Sequence, residues 1–155
     1  TLGARYEQVD YEVDDRFFLN DTGDDSGEIS FDQVTPLAGF VYTATDWANV
    51  YGNVSTGFET PTTTEFANPD GGGFNQNLEP QQATNYEIGI KGVFNNRLRY
   101  DLALFRIDVE DELIPFQQDE RNFFENAGES TRQGLELSVN AEIAPGLTLN
   151  TAYTY

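Results

Sequence analysis

Between Asn85 and Val109 apolar and polar residues alternate strictly. Tyr86, Ile88, Ile90, Gly92 and Phe94 fall on one face, and Glu87, Gly89 and Lys91 on the other. After Asn95-Asn96 the alternation resumes, with Leu98, Tyr100, Leu102 and Leu104 set against Arg99, Asp101 and Ala103. Successive side chains of a strand point to opposite faces, so both arms read as β-strands. Asn tolerates positive φ, which suits Asn95-Asn96 to a tight primed turn. The pattern predicts an antiparallel hairpin in which Ile88, Ile90, Leu102 and Leu104 share one face. That face has two possible environments. It is either the inside of a soluble sandwich, or the lipid-facing outside of a membrane barrel whose charged residues line the lumen.

The rest of the chain predicts five further strands. Leu2–Val13 begins with Leu2, Ala4 and Tyr6 in phase, then shifts its apolar positions to Val9, Tyr11 and Val13. Either a bulge lies there or the strand leaves its apolar environment. Val34–Thr45 and Ala48–Phe58 are two further strands, joined through a short turn at Asp46-Trp47-Ala48-Asn49. Gln133–Ile143 alternates cleanly, Ala144-Pro145-Gly146 turns the chain, and Leu147–Tyr155 begins a seventh strand. Three stretches read as long loops: Asp14–Asp32, Glu59–Thr84 and Glu110–Thr131. The second has little that promises a core, and Gly71–Gln82 reads as a loop tip with few folding contacts. In the third, Phe116, Phe123 and Phe124 are candidate anchors.

The connections therefore alternate between short and long. An up-and-down meander puts all the short turns at one end and all the long loops at the other. Outer-membrane barrels have this asymmetry, whereas sandwiches show turns every ~8–12 residues without it. The strands also approach the ~9–11 residues that a tilted membrane strand needs. Tyr42, Trp47, Tyr153 and Tyr155 are candidates for the interfacial aromatic girdle. The expected fold class is all-β: an up-and-down antiparallel meander of about seven strands, part of a large transmembrane β-barrel.

Composition narrows the function. The chain carries 27 acidic and 8 basic residues, for a net charge of −19. That argues against nucleic acid as a partner. It is 14% aromatic, unlike disordered acidic chains. It has no Cys and no His, so it lacks thiolate metal ligands and the commonest general base. The acidic run at Asn20–Glu28 lacks the Asp-x-Asp-x-Asp-Gly spacing of an EF-hand and reads as a solvated loop. No catalytic constellation emerges, so no enzyme activity, catalytic residue, cofactor or metal site is assigned. Lys91, the only lysine, is expected to pair with Glu87 on the polar face. Arg99, Asp101, Arg132 and Glu136 read as wall charges of the same kind.

Several runs resemble the barrel of TonB-dependent outer-membrane receptors, the active transporters of siderophores, cobalamin and some sugars. Leu2-Gly3-Ala4-Arg5-Tyr6 is similar to the family's Gly-x-Arg-Tyr strand. Val50–Pro61 is similar to its Tyr-x-x-x-Ser-x-Gly-Phe-x-x-Pro. Asn77-Leu78-Glu79-Pro80-Gln81 followed by Asn85–Lys91 is similar to its Asn-Leu-x-Pro-Glu and Tyr-Glu-x-Gly-x-Lys, with Gln81 where Glu is usual. Ala103–Val109 is a fourth match. Asn126-Ala127-Gly128 followed by Arg132–Glu136 resembles Asn-x-Gly and Arg-Gly-x-Glu.

The resemblance covers nearly the whole chain. It implies a parent of about 22 strands with a plugged lumen. Residues 1–155 would then be a partial barrel domain, with the plug domain and final barrel strands absent. The implied function is active uptake of a scarce ligand such as a ferric siderophore, with outer-membrane lipid and the TonB complex, reached through the plug, as partners. In this family ligand contacts come from outer loops and the plug apex, so Glu59–Thr84 is the expected contributor, and no single ligand-binding residue is assigned. The alternative is a soluble or surface-exposed β-sheet binding module, directed at carbohydrate through its aromatics; an outer-membrane barrel enzyme is a third class. In isolation such a fragment would leave apolar faces and strand edges open and is expected to self-associate.

Overall fold

The structure, a computed structural model, describes residues 1–16 and 24–155. Seven strands form one sheet in the order β1-β2-β3-β4-β5-β6-β7, every neighbour antiparallel. They are β1 (Leu2–Val13), β2 (Gly27–Thr45), β3 (Ala48–Glu59), β4 (Gln81–Phe94), β5 (Leu98–Gln118), β6 (Arg121–Ala144) and β7 (Leu147–Thr154). The predicted hairpin is present. Ile88 pairs with Leu104 and Ile90 with Leu102, so the four share a face. Asn95 and Asn96 have φ of 49° and 55°, and Arg97 N–H donates to Phe94 O at 3.1 Å, as a primed turn requires.

The register extends that face across the sheet. Cross-strand partners lie on the same side of a sheet. One row runs Tyr42, Val50, Ile90, Leu102, Leu137 and Tyr153; the row above it runs Phe40, Gly52, Ile88, Leu104 and Leu135. These side chains are open to the surroundings, with Ile88 53% and Leu104 56% exposed. A continuous exposed apolar face on seven paired strands is a membrane-facing surface, not the inside of a sandwich. On β4 it spans Tyr86–Phe94. Nine residues at ~3.3 Å rise and ~40° tilt give ~23 Å, close to the ~25 Å apolar band of outer-membrane barrels. Beyond the band the same face turns polar: Gln8, Asp10, Ser30, Asp32, Asp108 and Thr131 occupy the next positions.

The phase shift in β1 has a simple cause. Pairing with β2 runs unbroken from Leu2↔Ala38 to Val13↔Gly27, so no bulge intervenes. Leu2, Ala4 and Tyr6 lie on the band. Val9, Tyr11 and Val13 lie on the opposite, inner face, beyond the band. The strand leaves lipid, and its apolar side chains then find a packed interior instead.

Two long-loop expectations are corrected. Gly27–Asp32 belongs to β2, while residues 17–23 of that predicted loop lie outside those described. Glu110–Thr131 is not a loop: it is the far half of β5 and β6, which are 21 and 24 residues long. They join through Asp119-Glu120, both at positive φ, in a two-residue hairpin. Above the membrane the outer face of a strand meets water instead of lipid, so strict alternation is not required and the sequence signal fades. The alternation of ends survives among the described residues: residues 14–16 and 24–26, residues 60–80 and the 119–120 tip lie at one end, and the turns at Trp47, Asn95 and Gly146 at the other.

Two glycines are fixed by close approach. A Cβ on Gly52 would lie 2.8 Å from the Phe40 ring, and one on Gly89 would lie 2.5 Å from the Tyr51 ring. Each aromatic ring reaches over the bare backbone of the neighbouring strand.

Candidate functional site

The inner face divides into a polar wall at membrane height and a capped outer region. On the wall, Tyr51 crosses Gly89, and its hydroxyl donates to Asp101 Oδ1 at 2.9 Å. One side chain thus joins β3 to β5 across β4. Lys91 Nζ lies 4.6 Å from the Tyr51 ring centroid. The expected Lys91–Glu87 ion pair is not formed: within the described residues Lys91 meets an aromatic face, a cation–π contact worth ~0.5–1 kcal/mol at an exposed site. Ala103, beside these groups, is buried. Arg99, Glu136, Ser138 and Asn140 line the same concavity of about 760 Å³, and the amide of Asn140 donates to Asn150. Arg132 pairs with Glu112 at 3.7 Å, higher up. The wall offers donors, acceptors and charge of both signs.

The outer region is built by residues 60–80, read from sequence as poor in core residues. That expectation is overturned. Phe66 is 0% exposed, and Leu78, Phe74 and Pro61 are buried with it. Phe66 stacks between Phe74 (4.8 Å between centroids, 22° between planes) and Phe31 (6.0 Å, 13°). Tyr11 meets it edge-on at 5.1 Å. Ile29, Val13 and Leu113 pack around this cluster. The two halves of the loop pair through Ala67↔Phe74, and Asn75 N–H donates to Phe66 O at 2.8 Å. The Tyr11 and Thr60 hydroxyls share a hydrogen bond of 2.8 Å, and Gln76 Nε2 donates to Glu28 O at 3.2 Å. Residues 60–80 are therefore a packed cap over the inner face, not a free loop. Its exposed parts include Thr62–Thr64 and the turn at Asp70–Gly72, which Gly73 closes at φ 80°. A deletion of Gly71–Gln82 would remove Phe74 and Leu78 from the core and cut into β4.

Charge is distributed by height. Residues 7–16, 24–33, 57–84 and 106–133 hold 21 of the 27 acidic side chains and 4 of the 8 basic ones. The outer end is thus strongly acidic, and the membrane-height part is near neutral. In the outer loops Asp24 has its carboxyl held below the usual range by the Ser26 hydroxyl and then by the Ser26 N–H, which donates at 2.9 Å. Sequence reasoning missed the aromatic cluster because Phe66 and Phe74 are isolated among Thr, Asn, Gly and Pro, with no periodicity to flag them.

An exposed apolar band, a polar inner face, tight turns at one end and long elements at the other define the wall of a transmembrane β-barrel. Residues 1–155 match the family described as TonB dependent receptor-like, beta-barrel, and the chain belongs to that family. It is 31% identical over 125 residues to the ferric-pyoverdine BN7/BN8 receptor of Pseudomonas putida, covering 77% of this chain and 14% of that protein. It is 33% identical over 122 residues to the catecholate siderophore receptor Fiu of Escherichia coli K12, covering 76% of this chain and 16% of that protein. The structure is similar to that of the siderophore receptor PiuA of Acinetobacter baumannii, with a TM-score of 0.79 at 24% identity over 99% of this chain and 22% of that one. The chain therefore spans about a fifth or less of the relatives it matches. Barrels of this family reside in the bacterial outer membrane, and the apolar band fits this segment to that site. The soluble carbohydrate-binding alternative is set aside by the family match and by the exposed band.

Proposed function

We propose that the full-length protein imports a ferric siderophore across the outer membrane, driven through the TonB complex. Residues 1–155 supply barrel wall and part of the outer ligand-capturing surface. The plug and the remaining strands belong to the rest of the protein. The observation that carries this reading is the packed cap at the outer end of a family barrel, together with relatives named as pyoverdine and catecholate receptors. The polar wall keeps the lumen wet, and the cap holds its Gly-rich turn rigidly toward incoming ligand, which lowers the ordering cost of capture.

The test is uptake of labelled iron by cells expressing the full-length receptor, with the coupling complex intact or deleted. Uptake should require the complex; uptake that persists unchanged without it overturns the reading in favour of a passive pore or an adhesive surface protein. Replacing the open turn Pro69–Gly73 with an equal length of Ser and Gly should weaken ligand binding and leave the barrel in the membrane, because the core side chains stay in place.

A further inference from the structure

Two motifs, Asn77–Gln81 and Asn126–Gly128, are separated in sequence and meet in space. Glu79 N–H donates to Asn126 Oδ1 at 2.8 Å, and Asn126 Nδ2 donates back to Glu79 O at 2.8 Å. The same Nδ2 donates to Asp111 O at 2.8 Å. An Asn amide has one acceptor oxygen and two N–H donors, and all three capacities are used here. Asn126 does for Glu79 what a neighbouring strand would do, with a side chain in place of a backbone.

The local backbone is shaped for this contact. The β5–β6 register shifts between Val109 and Glu112 and again between Glu112 and Leu113, and Asp111 in that gap has φ 55°. Opposite it, a Cβ on Gly128 would lie 2.9 Å from Glu112 Cβ and 3.2 Å from Ile114 Cγ2. Gly128 therefore lets the bulged strand close while Asn126 bonds to the carbonyl of Asp111.

The surroundings show what it joins. The cap is fastened to β1 and β2 by the aromatic cluster. β3 and β4 stop at Glu59 and Gln81, so a notch separates tall β2 from the tall β5–β6 hairpin. The cap fills that notch. On the hairpin side its polar ties are Asn126 to Glu79 and, at the tip, Gln118 Nε2 to Pro69 O at 3.1 Å. We propose that Asn126 is a positioning residue that latches the returning arm of the cap to the β5–β6 hairpin, so that cap and hairpin present a single ligand-facing surface. The ligand-facing part rests on the capture role proposed above; the mechanical part does not.

Hydrogen exchange on the full-length receptor in micelles, without ligand, tests the latch. Asn126→Asp matches the wild-type side chain in shape but lacks both donors and sets a charge against two carbonyls. Asn126→Ala removes the amide altogether. Both should speed exchange at the Glu79 amide and across residues 111–118 by about tenfold, with Asn126→Asp at least as fast as Asn126→Ala. Residues 86–94 should keep their protection. A wild-type rate in Asn126→Asp shows that the two donated bonds hold nothing and overturns the latch. So does unchanged exchange in both variants, or loosening that spreads evenly into residues 86–94. Binding of a ferric tris-catecholate and of a ferric pyoverdine to the same variants decides the other half. Weakened binding of either supports a single capture surface, whereas wild-type binding of both by a demonstrably loosened receptor overturns the capture role and leaves the latch standing.

Discussion

Replacing Phe66 by Ala tests whether the cap is a packed body. Phe66 is fully buried, with ring partners on β1 (Tyr11), on β2 (Phe31) and within the cap (Phe74). A buried Phe→Ala change costs ~3–5 kcal/mol when the surroundings cannot collapse. Collapse is limited here, because Tyr11 and Phe31 sit on a paired sheet that cannot move inward. Almost all of the loss should fall on closure of the cap, since the barrel band makes no contact with this ring. At 1.4 kcal/mol per tenfold, ~4 kcal/mol raises the open population on the order of a thousandfold, until the cap is mostly open. Thermolysin reports this directly. The bond before Leu78 is buried in the closed cap, and cleavage there tracks the open population when reclosing is fast. Phe66→Ala in the full-length receptor should speed that cleavage by several hundredfold or more, whereas Phe66→Leu should stay within roughly tenfold. Equal and small effects of the two substitutions would refute the packed cap.

Glu120 sits at φ 65° in the two-residue turn of β5–β6, where a non-Gly residue costs ~1 kcal/mol; Glu120→Gly should slow amide exchange at Gln118 and Arg121 by a few-fold. Tyr51→Phe removes the hydrogen bond to Asp101 but keeps the ring beneath Lys91, so urea unfolding of the receptor should show a loss of only about 1 kcal/mol with unchanged membrane insertion. Residues 1–155 expressed alone expose the apolar band and both sheet edges. Sedimentation in plain buffer should show association that detergent relieves, and a monodisperse monomer there would contradict the lipid-facing assignment.

How much was legible depends on what each stretch touches. At membrane height one face meets lipid and the other the lumen, so Tyr86–Phe94 and Leu98–Leu104 had to alternate, and their pairing and turn could be read off directly. The same contrast made Gln133–Ile143 readable. Glu110–Thr131 pairs through two register shifts and lies above the lipid, where its outer face meets water, so Asp, Glu, Gln and Asn are tolerated at many positions and the strands resemble a loop. The shift at Val9 carried real information: it marked where lipid ends and the capped interior begins. Its meaning needed Phe66 and Phe74, which arrive from more than fifty residues away. The Asn126–Glu79 contact was hidden for a similar reason. Each motif was visible alone, and only the fold puts a side-chain amide against a backbone that ends one strand short of it.

The rings lying over Gly52 and Gly89 bear on how the wall assembles without error. Lipid on one side and water on the other reject a strand that zips up one residue out of step, because every side chain would change sides. A slip of two residues restores the sides and escapes that penalty. Bare backbone under an aromatic does not allow it. Moved by two, Tyr51 would have to sit on Glu87 or Lys91 in place of Gly89, and Phe40 on Val50 or Val54 in place of Gly52. These pairs serve as proofreading marks for the even-numbered misalignments that hydrophobic alternation leaves undetected.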